Sequence, residues 1–142
     1  MRALGIDFGE KRIGLAVSDP EGRVAVPLST LERRNDRSAV RQIAEIARRE
    51  QVGRLVVGEP LGLDGQRGPA ALRARRFGER LAAATGLPLT LVDESLTSVE
   101  ARERLLQAGA NLRRDAARID SVAAQILLQE VLDRTMGRGG AD

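Results

Sequence analysis

The chain has 142 residues and neither cysteine nor histidine. Disulfides, thiolate nucleophiles, imidazole bases, Ser-His-Asp or Cys-His arrangements and Cys- or His-bound metals are therefore excluded. Its 23 basic residues, all arginine except Lys11, face 20 acidic ones for a net charge of +3, an arginine excess that fits either a GC-rich genome or phosphate contacts.

At 42% hydrophobic, with Phe8 and Phe77 the only aromatics, the chain can build an aliphatic core. Its length suits one domain, expected over residues 1–142 with a flexible tail from about 135. The N-terminus lacks a signal-peptide pattern and no stretch is apolar enough to span a membrane, so a soluble cytoplasmic protein is expected.

The first predicted strand, residues 3–9, alternates. Leu4, Ile6 and Phe8 would face one side of a sheet; Asp7 falls on the other, with Gly5 and Gly9 as neighbours. A carboxylate there is costly unless it is paired or binds a metal, and the flanking glycines admit a ligand or another backbone. A cap on a local turn is the alternative reading of Asp7. The chain then turns and returns as a second strand over 12–19. Residues 24–31 read as a third, near an edge because of Pro27. Asp36 is expected to cap a helix containing Val40, Ile43, Ala44, Ile46 and Ala47.

Residues 55–58 form a short apolar run typical of a strand buried on both faces, followed directly by Glu59. A Gly-rich loop covers 60–68. Pro69 begins a helix to about Thr85, with Leu72, Phe77 and Leu81 inward and Arg73, Arg75, Arg76 and Arg80 mostly outward. Residues 89–92 form another buried-type strand ending in Asp93 and Glu94. Thr97 and Glu100 make a capping box for a helix to about Ala108, and a last helix covers roughly 115–134. Hairpin-linked strands should be antiparallel and those reached through helices parallel. The expected α/β fold is a mixed five-stranded sheet, three antiparallel strands then two parallel ones, flanked by helices.

Glu59, Asp93 and Glu94 lie at the C-terminal ends of the two parallel strands, where open α/β sheets bind ligands. Asp120 falls within the apolar arc of the last helix. It could pair locally with an arginine, but Asp7, Glu94 and Asp120 are all expected on one side of the sheet. Carboxylates gathered without His or Cys suit a hard cation such as Mg²⁺ or Mn²⁺. Two such ions about 4 Å apart can activate water and stabilise the leaving oxygen in phosphodiester cleavage.

Five segments then match one family in order: residues 5–9, 11–14, 57–60 with 64–65, 93–97 and 119–124. Over about residues 2–134 the chain resembles the YqgF/RuvX family of pre-16S rRNA nucleases, also described as Holliday-junction-resolvase-like. The resemblance implies a ribonuclease H-like fold, with Asp7, Glu94 and Asp120 as metal-binding catalytic residues. It also implies endonucleolytic cleavage of phosphodiester bonds with Mg²⁺ or Mn²⁺, two ions, in maturing the 5′ end of 16S rRNA. Two motifs depart from the family pattern. Glu59 stands where leucine is usual and is an additional candidate metal ligand or a solvated loop residue. Ser95 stands where arginine is usual.

Phosphate contacts are expected from Lys11, Arg12, Arg67, Arg73, Arg76, Arg113 and Arg114, though each fits a solvated surface charge as well. Without aromatic platforms for stacking bases, recognition by backbone and shape is expected, which suits structured RNA such as pre-16S rRNA or branched DNA. No membrane partner is expected, and the chain should be a monomer or a weak homodimer. The rival readings are a junction resolvase and a non-catalytic nucleic-acid-binding module.

Overall fold

The computed structural model of the chain describes residues 1–60, 68–93, 103–105, 107–109, 111 and 114–141, with side chains through 135. The elements are β1 (Arg2–Phe8), β2 (Arg12–Ser18), β3 (Ala25–Glu32), α1 (Asp36–Arg49), β4 (Val52–Glu59), α2 (Pro69–Thr85), β5 (Leu89–Asp93) and α3 (Ala116–Ala141). The helix expected over 97–108 lies mostly outside the described residues; within it, 103–105 and 107 are helical.

The strands form one sheet in the order β3-β2-β1-β4-β5. β1/β2 and β2/β3 are antiparallel, whereas β1/β4 and β4/β5 are parallel. This is the expected mixed sheet. Alternation along the strands divides the core in two. Leu4, Ile6, Leu15, Leu55 and Val57 pack with Ile43, Phe77 and Leu81 of α1 and α2. Ala3, Ala16, Ala25, Val56 and Val92 pack with Ala124, Leu127, Leu128 and Val131 of α3. On β1 and β2 the second face is built of alanine and glycine, so α3 comes close. A Cβ on Gly5 would lie 2.8 Å from Leu128 Cβ and 3.0 Å from the Ala124 carbonyl oxygen.

Three local expectations are corrected. Asn35, not Asp36, caps α1: its side chain accepts from the Ser38 N–H at 2.8 Å, leaving Asp36 in the first turn, bonded to Arg33 Nε at 2.8 Å. Leu72 is 45% exposed, because Ala71, Ala74, Phe77, Gly78 and Leu81 form the buried stripe of α2. α3 continues to Ala141 rather than ending near 134. Its C-terminal stretch holds no proline, and each glycine lowers helix stability by only about 1 kcal/mol. α2 spans Pro69–Thr85 as expected, stopped by Gly86 at φ 72°.

Candidate active site

Asp7 is the penultimate residue of β1, half-buried, and lies opposite Gly14 of β2. Gly14 in turn lies opposite Thr30 of β3. Residues facing one another across adjacent strands share a face, so Asp7, Gly14 and Thr30 form one row beneath α3. The glycine at its centre determines what stands above it. A Cβ on Gly14 would lie 2.0 Å from the carbonyl oxygen of Asp120 and 2.3 Å from its carbonyl carbon. The helix backbone at Asp120 therefore rests directly on Gly14, beside Asp7. The structure thus places these two sequence-predicted acids on either side of one glycine, Asp7 paired with it and the Asp120 backbone seated on it.

Side chains fix α3 in that seat. Thr30 Oγ1 donates to the Ala117 carbonyl at the start of the helix. Farther along, the Ala25 N–H donates to Gln129 Oε1 at 2.8 Å, and Gln125 Nε2 donates to the Ala25 carbonyl at 3.1 Å. Gln129 Nε2 also reaches the Arg23 carbonyl at 2.9 Å. Both halves of the helix are thus tied to β3 or its approach, which sets the height of Asp120 over the sheet.

Arg12, two residues before Gly14 and on the same face, donates from Nε to Asp120 Oδ2 at 2.6 Å. The pair is partly open to solvent, with side chains 43% and 23% exposed. Such a charge-assisted bond is stronger than a neutral one. It orients the carboxylate and supplies a countercharge next to a second acid. Arg12, expected at the phosphate-binding surface, is thus engaged with an acid of the site; the pairing foreseen for Asp120 is made across 108 residues of sequence rather than locally.

Glu59 is not brought to this row. Leu55 and Val57 of β4 belong to the core under α1 and α2, and Val57 lies against α2 at Gly78. Glu59, two residues on, shares that face, is 2% exposed, and pairs with Arg75 Nη2 of α2 at 3.3 Å. Burial of a carboxylate at a strand end is costly without such a partner. Asp93 lies opposite Glu59, hence also on the α2 side, and is exposed. Glu94, Arg67 and Arg113 lie outside the described residues. Among the described residues no three acids gather as a metal-binding group.

The remaining basic candidates are scattered. Lys11 is exposed in the β1–β2 turn, its carbonyl accepting the Arg33 N–H at 2.8 Å. Arg73 Nη2 lies 3.9 Å from Glu10 Oε1. Arg76 is exposed on α2. Arg114 is 3.7 Å from Asp115 at the approach to α3. Sequence reasoning missed Gly14, although a glycine inside an alternating strand signals close backbone approach. It also missed Arg33, which had no signal of its own.

The oxygen donors of Asp7 and Asp120, on a strand and a helix that Gly14 lets approach closely, fit a hard divalent cation by their chemistry. The chain's likeness to known proteins agrees with this geometry. The RuvX family, described as Holliday junction resolvase, matches residues 1–134. A relative from Anaeromyxobacter sp. (strain K), named "Putative pre-16S rRNA nuclease", is 47% identical over 134 residues, 94% of this chain and 98% of its own. One of the same name from Moorella thermoacetica is 44% identical over 140 residues, 99% of both chains. Among solved structures, T. thermophilus RuvC in complex with a Holliday junction substrate aligns over 96% of each chain with a TM-score of 0.63 and 17% identity. Fowlpox virus resolvase aligns over 95% of this chain and 99% of its own, with a TM-score of 0.60 and 10% identity. At these identities the likeness is one of fold, and it identifies the sheet and its helices as ribonuclease H-like. On the family match and the identity to its relatives, the chain belongs to the RuvX family.

Proposed function

We propose that this chain is a metal-dependent endonuclease that hydrolyses phosphodiester bonds, with pre-16S rRNA as substrate in the maturation of its 5′ end. Asp7, Glu94 and Asp120 are its metal ligands in this reading, and Mg²⁺ or Mn²⁺ its metal. One observation carries it: Asp7 lies opposite Gly14, and the backbone of Asp120 rests on that same glycine. Residues bearing two carboxylates thus stand beside the same glycine, one on the sheet and one on the helix seated on it.

Asp93 faces α2, which supports Glu94, the next residue in sequence, as the third acid. The Glu59–Arg75 pair on the opposite face supports leaving Glu59 outside the set. When bound, two such ions supply Lewis acidity, a water of lowered pKa and stabilisation of the leaving oxygen. The chain's own residues do the rest. Asp7 and Asp120 offer oxygen donors from two elements whose spacing is fixed by packing. Arg12 orients Asp120, and Thr30 holds the first turn of α3 down on the sheet. No imidazole is needed, because none of these roles is that of a side-chain base.

The name of the relatives favours RNA. The RuvC-like fold favours a second reading, cleavage of a four-way DNA junction. Paired symmetric cuts would then require two copies related by a two-fold axis. The test runs a pre-16S 5′-leader RNA and a four-way junction side by side with Mn²⁺, Mg²⁺ or EDTA, using the unaltered chain and Asp7→Asn. Metal-dependent cutting of the RNA, absent in Asp7→Asn, is expected. Symmetric cutting of the junction alone would replace that reading with the resolvase. No cutting of either, with binding intact, would leave a binding module.

A further inference from the structure

The C-terminal end of β1 has chemistry on both faces. Asp7 belongs to the α3 side, and the next residue, Phe8, to the α1 and α2 side. A pocket of about 260 Å³ lies there, lined by Phe8, Gly9, Glu10, Arg33, Ala70 and Arg73. Arg33 is held from three directions. Its Cζ lies 4.6 Å from the centroid of the Phe8 ring. Its Nε donates to Asp36 Oδ1 at 2.8 Å and its Nη1 to the Glu10 carbonyl at 2.9 Å. Phe8 is itself stacked on Phe77 at 4.6 Å. A guanidinium so anchored has little rotamer freedom left to lose on meeting an anion.

Arg73 completes the pocket from α2. Its Nη2 is 3.9 Å from Glu10 Oε1, and the two side chains are 47% and 83% exposed. An ion pair that open and that long contributes little, so a stronger anion can displace the Glu10 carboxylate. Asp36 offsets part of the charge of Arg33, while Arg80 stands 3.9 Å from the other oxygen of Asp36. With Arg33 and Arg73 against Glu10 alone in its lining, the pocket remains cationic.

We propose that this pocket is a phosphate subsite. It takes a backbone phosphate of the nucleic-acid strand whose neighbouring phosphodiester lies at Asp7 and Asp120. Arg33 and Arg73 donate to it, and the Glu10 carboxylate is the anion beside Arg73 when it is empty. The inference rests on the nuclease reading and gives it a substrate-positioning site on the other face of the same strand end.

The test measures binding without cleavage. Fluorescein-labelled 5′-leader RNA and a four-way DNA junction are titrated in EDTA by anisotropy across a salt series. Losing one phosphate contact should flatten the log–log salt slope by about 0.7 to 0.9. Arg73→Gln should lower affinity several-fold and flatten the slope by that amount. Glu10→Gln should raise affinity several-fold, an effect a structural role would not produce. Arg33→Lys, which keeps the charge but loses the fork, should weaken binding, while Arg41→Gln on α1 should change neither quantity. Unchanged binding in both Arg73→Gln and Glu10→Gln would overturn the subsite and leave the carboxylate site standing. So would an equal loss in Arg41→Gln, which would show diffuse attraction. Binding that behaves as expected in a chain that cuts nothing would overturn the nuclease reading alone. No binding by the unaltered chain to either probe would overturn both.

Discussion

The two faces of this sheet are made from the same strands by opposite means. Under α1 and α2, large side chains fill the space: Leu4, Ile6, Leu15, Leu55, Ile43 and Phe77 are all at most 1% exposed. Under α3, the antiparallel strands offer Ala3, Gly5, Gly14 and Ala16, and the helix backbone itself comes down to the sheet. The first face gains stability from the apolar area it removes from water. The second trades side-chain volume for proximity, and the backbone of Asp120 is seated beside Asp7 where the volume is missing. Bulk on one face thus allows bareness on the other.

The largest expected effect is on the filled face. Phe77→Ala removes a ring stacked on Phe8 and buried among Leu and Ile side chains, and should cost about 3–5 kcal/mol of unfolding free energy by urea denaturation. Cleavage per folded molecule should fall far less than stability, since no atom of Phe77 belongs to the acidic row and it reaches Arg33 only through Phe8. Equal losses of stability and of activity per folded molecule would break the division between the faces.

Gly14→Ala makes the converse test. The added methyl would fall 2.0 Å from the Asp120 carbonyl oxygen, a backbone atom that cannot swing aside. The helix must lift, and overpacking of this kind costs about 1–3 kcal/mol. The informative readout is the ratio of effects: cleavage should fall far more than stability, because lifting α3 moves Asp120 away from Asp7. A fully active Gly14→Ala protein would show that the close seat of the helix is not what the site requires.

Arg12→Gln is finer still. It keeps the backbone row and removes only the guanidinium bonded at 2.6 Å to Asp120. Loss of a group that orients a ligand carboxylate typically lowers metal affinity or activity about 10–100-fold. Titration with Mn²⁺ should show that weakening while urea midpoints stay close to those of the unaltered chain. Tighter Mn²⁺ binding would instead make Arg12 a competitor for Asp120.

The sheet was legible from sequence because alternation and apolar runs report burial directly: Asp7 opposite to Leu4, Ile6 and Phe8 follows from period two alone. The parallel strands were legible because Leu55-Val56-Val57 is apolar on both sides. The relation of Asp7 to Asp120 was only half legible. Each acid stood out against an apolar pattern, yet nothing local tells that Gly14 and Thr30 continue the row of Asp7, or that α3 descends onto it. Glu59 was misleading for the same reason. Its position at a strand end was clear, but its facing depended on counting from Val57, and its partner Arg75 read as an outward charge on an amphipathic helix. Arg33 was invisible, since its meaning comes from the Phe8 ring beneath it.

The smallest effect concerns a residue on neither face. Asp19 opens the turn between β2 and β3, where its Oδ1 accepts the Arg23 N–H at 2.7 Å and the Val24 N–H at 3.0 Å. These donors, Val24 foremost and then Arg23, hold its carboxyl below the ordinary aspartate range. The folded value is therefore lower than the unfolded one, near 3.9. The resulting stability is fully present above that unfolded value and is lost as pH falls through the folded one. Asp19→Asn should lower the melting temperature slightly at pH 7, and the gap to the unaltered chain should narrow as pH falls below the ordinary aspartate range and through the lowered folded value. Cleavage at neutral pH should not change, because the turn lies at the opposite end of β2 from Gly14. A loss of cleavage without loss of fold would mean that strain in this turn reaches the acidic row along β2. The bare face would then depend on the whole strand rather than on the seat of one helix.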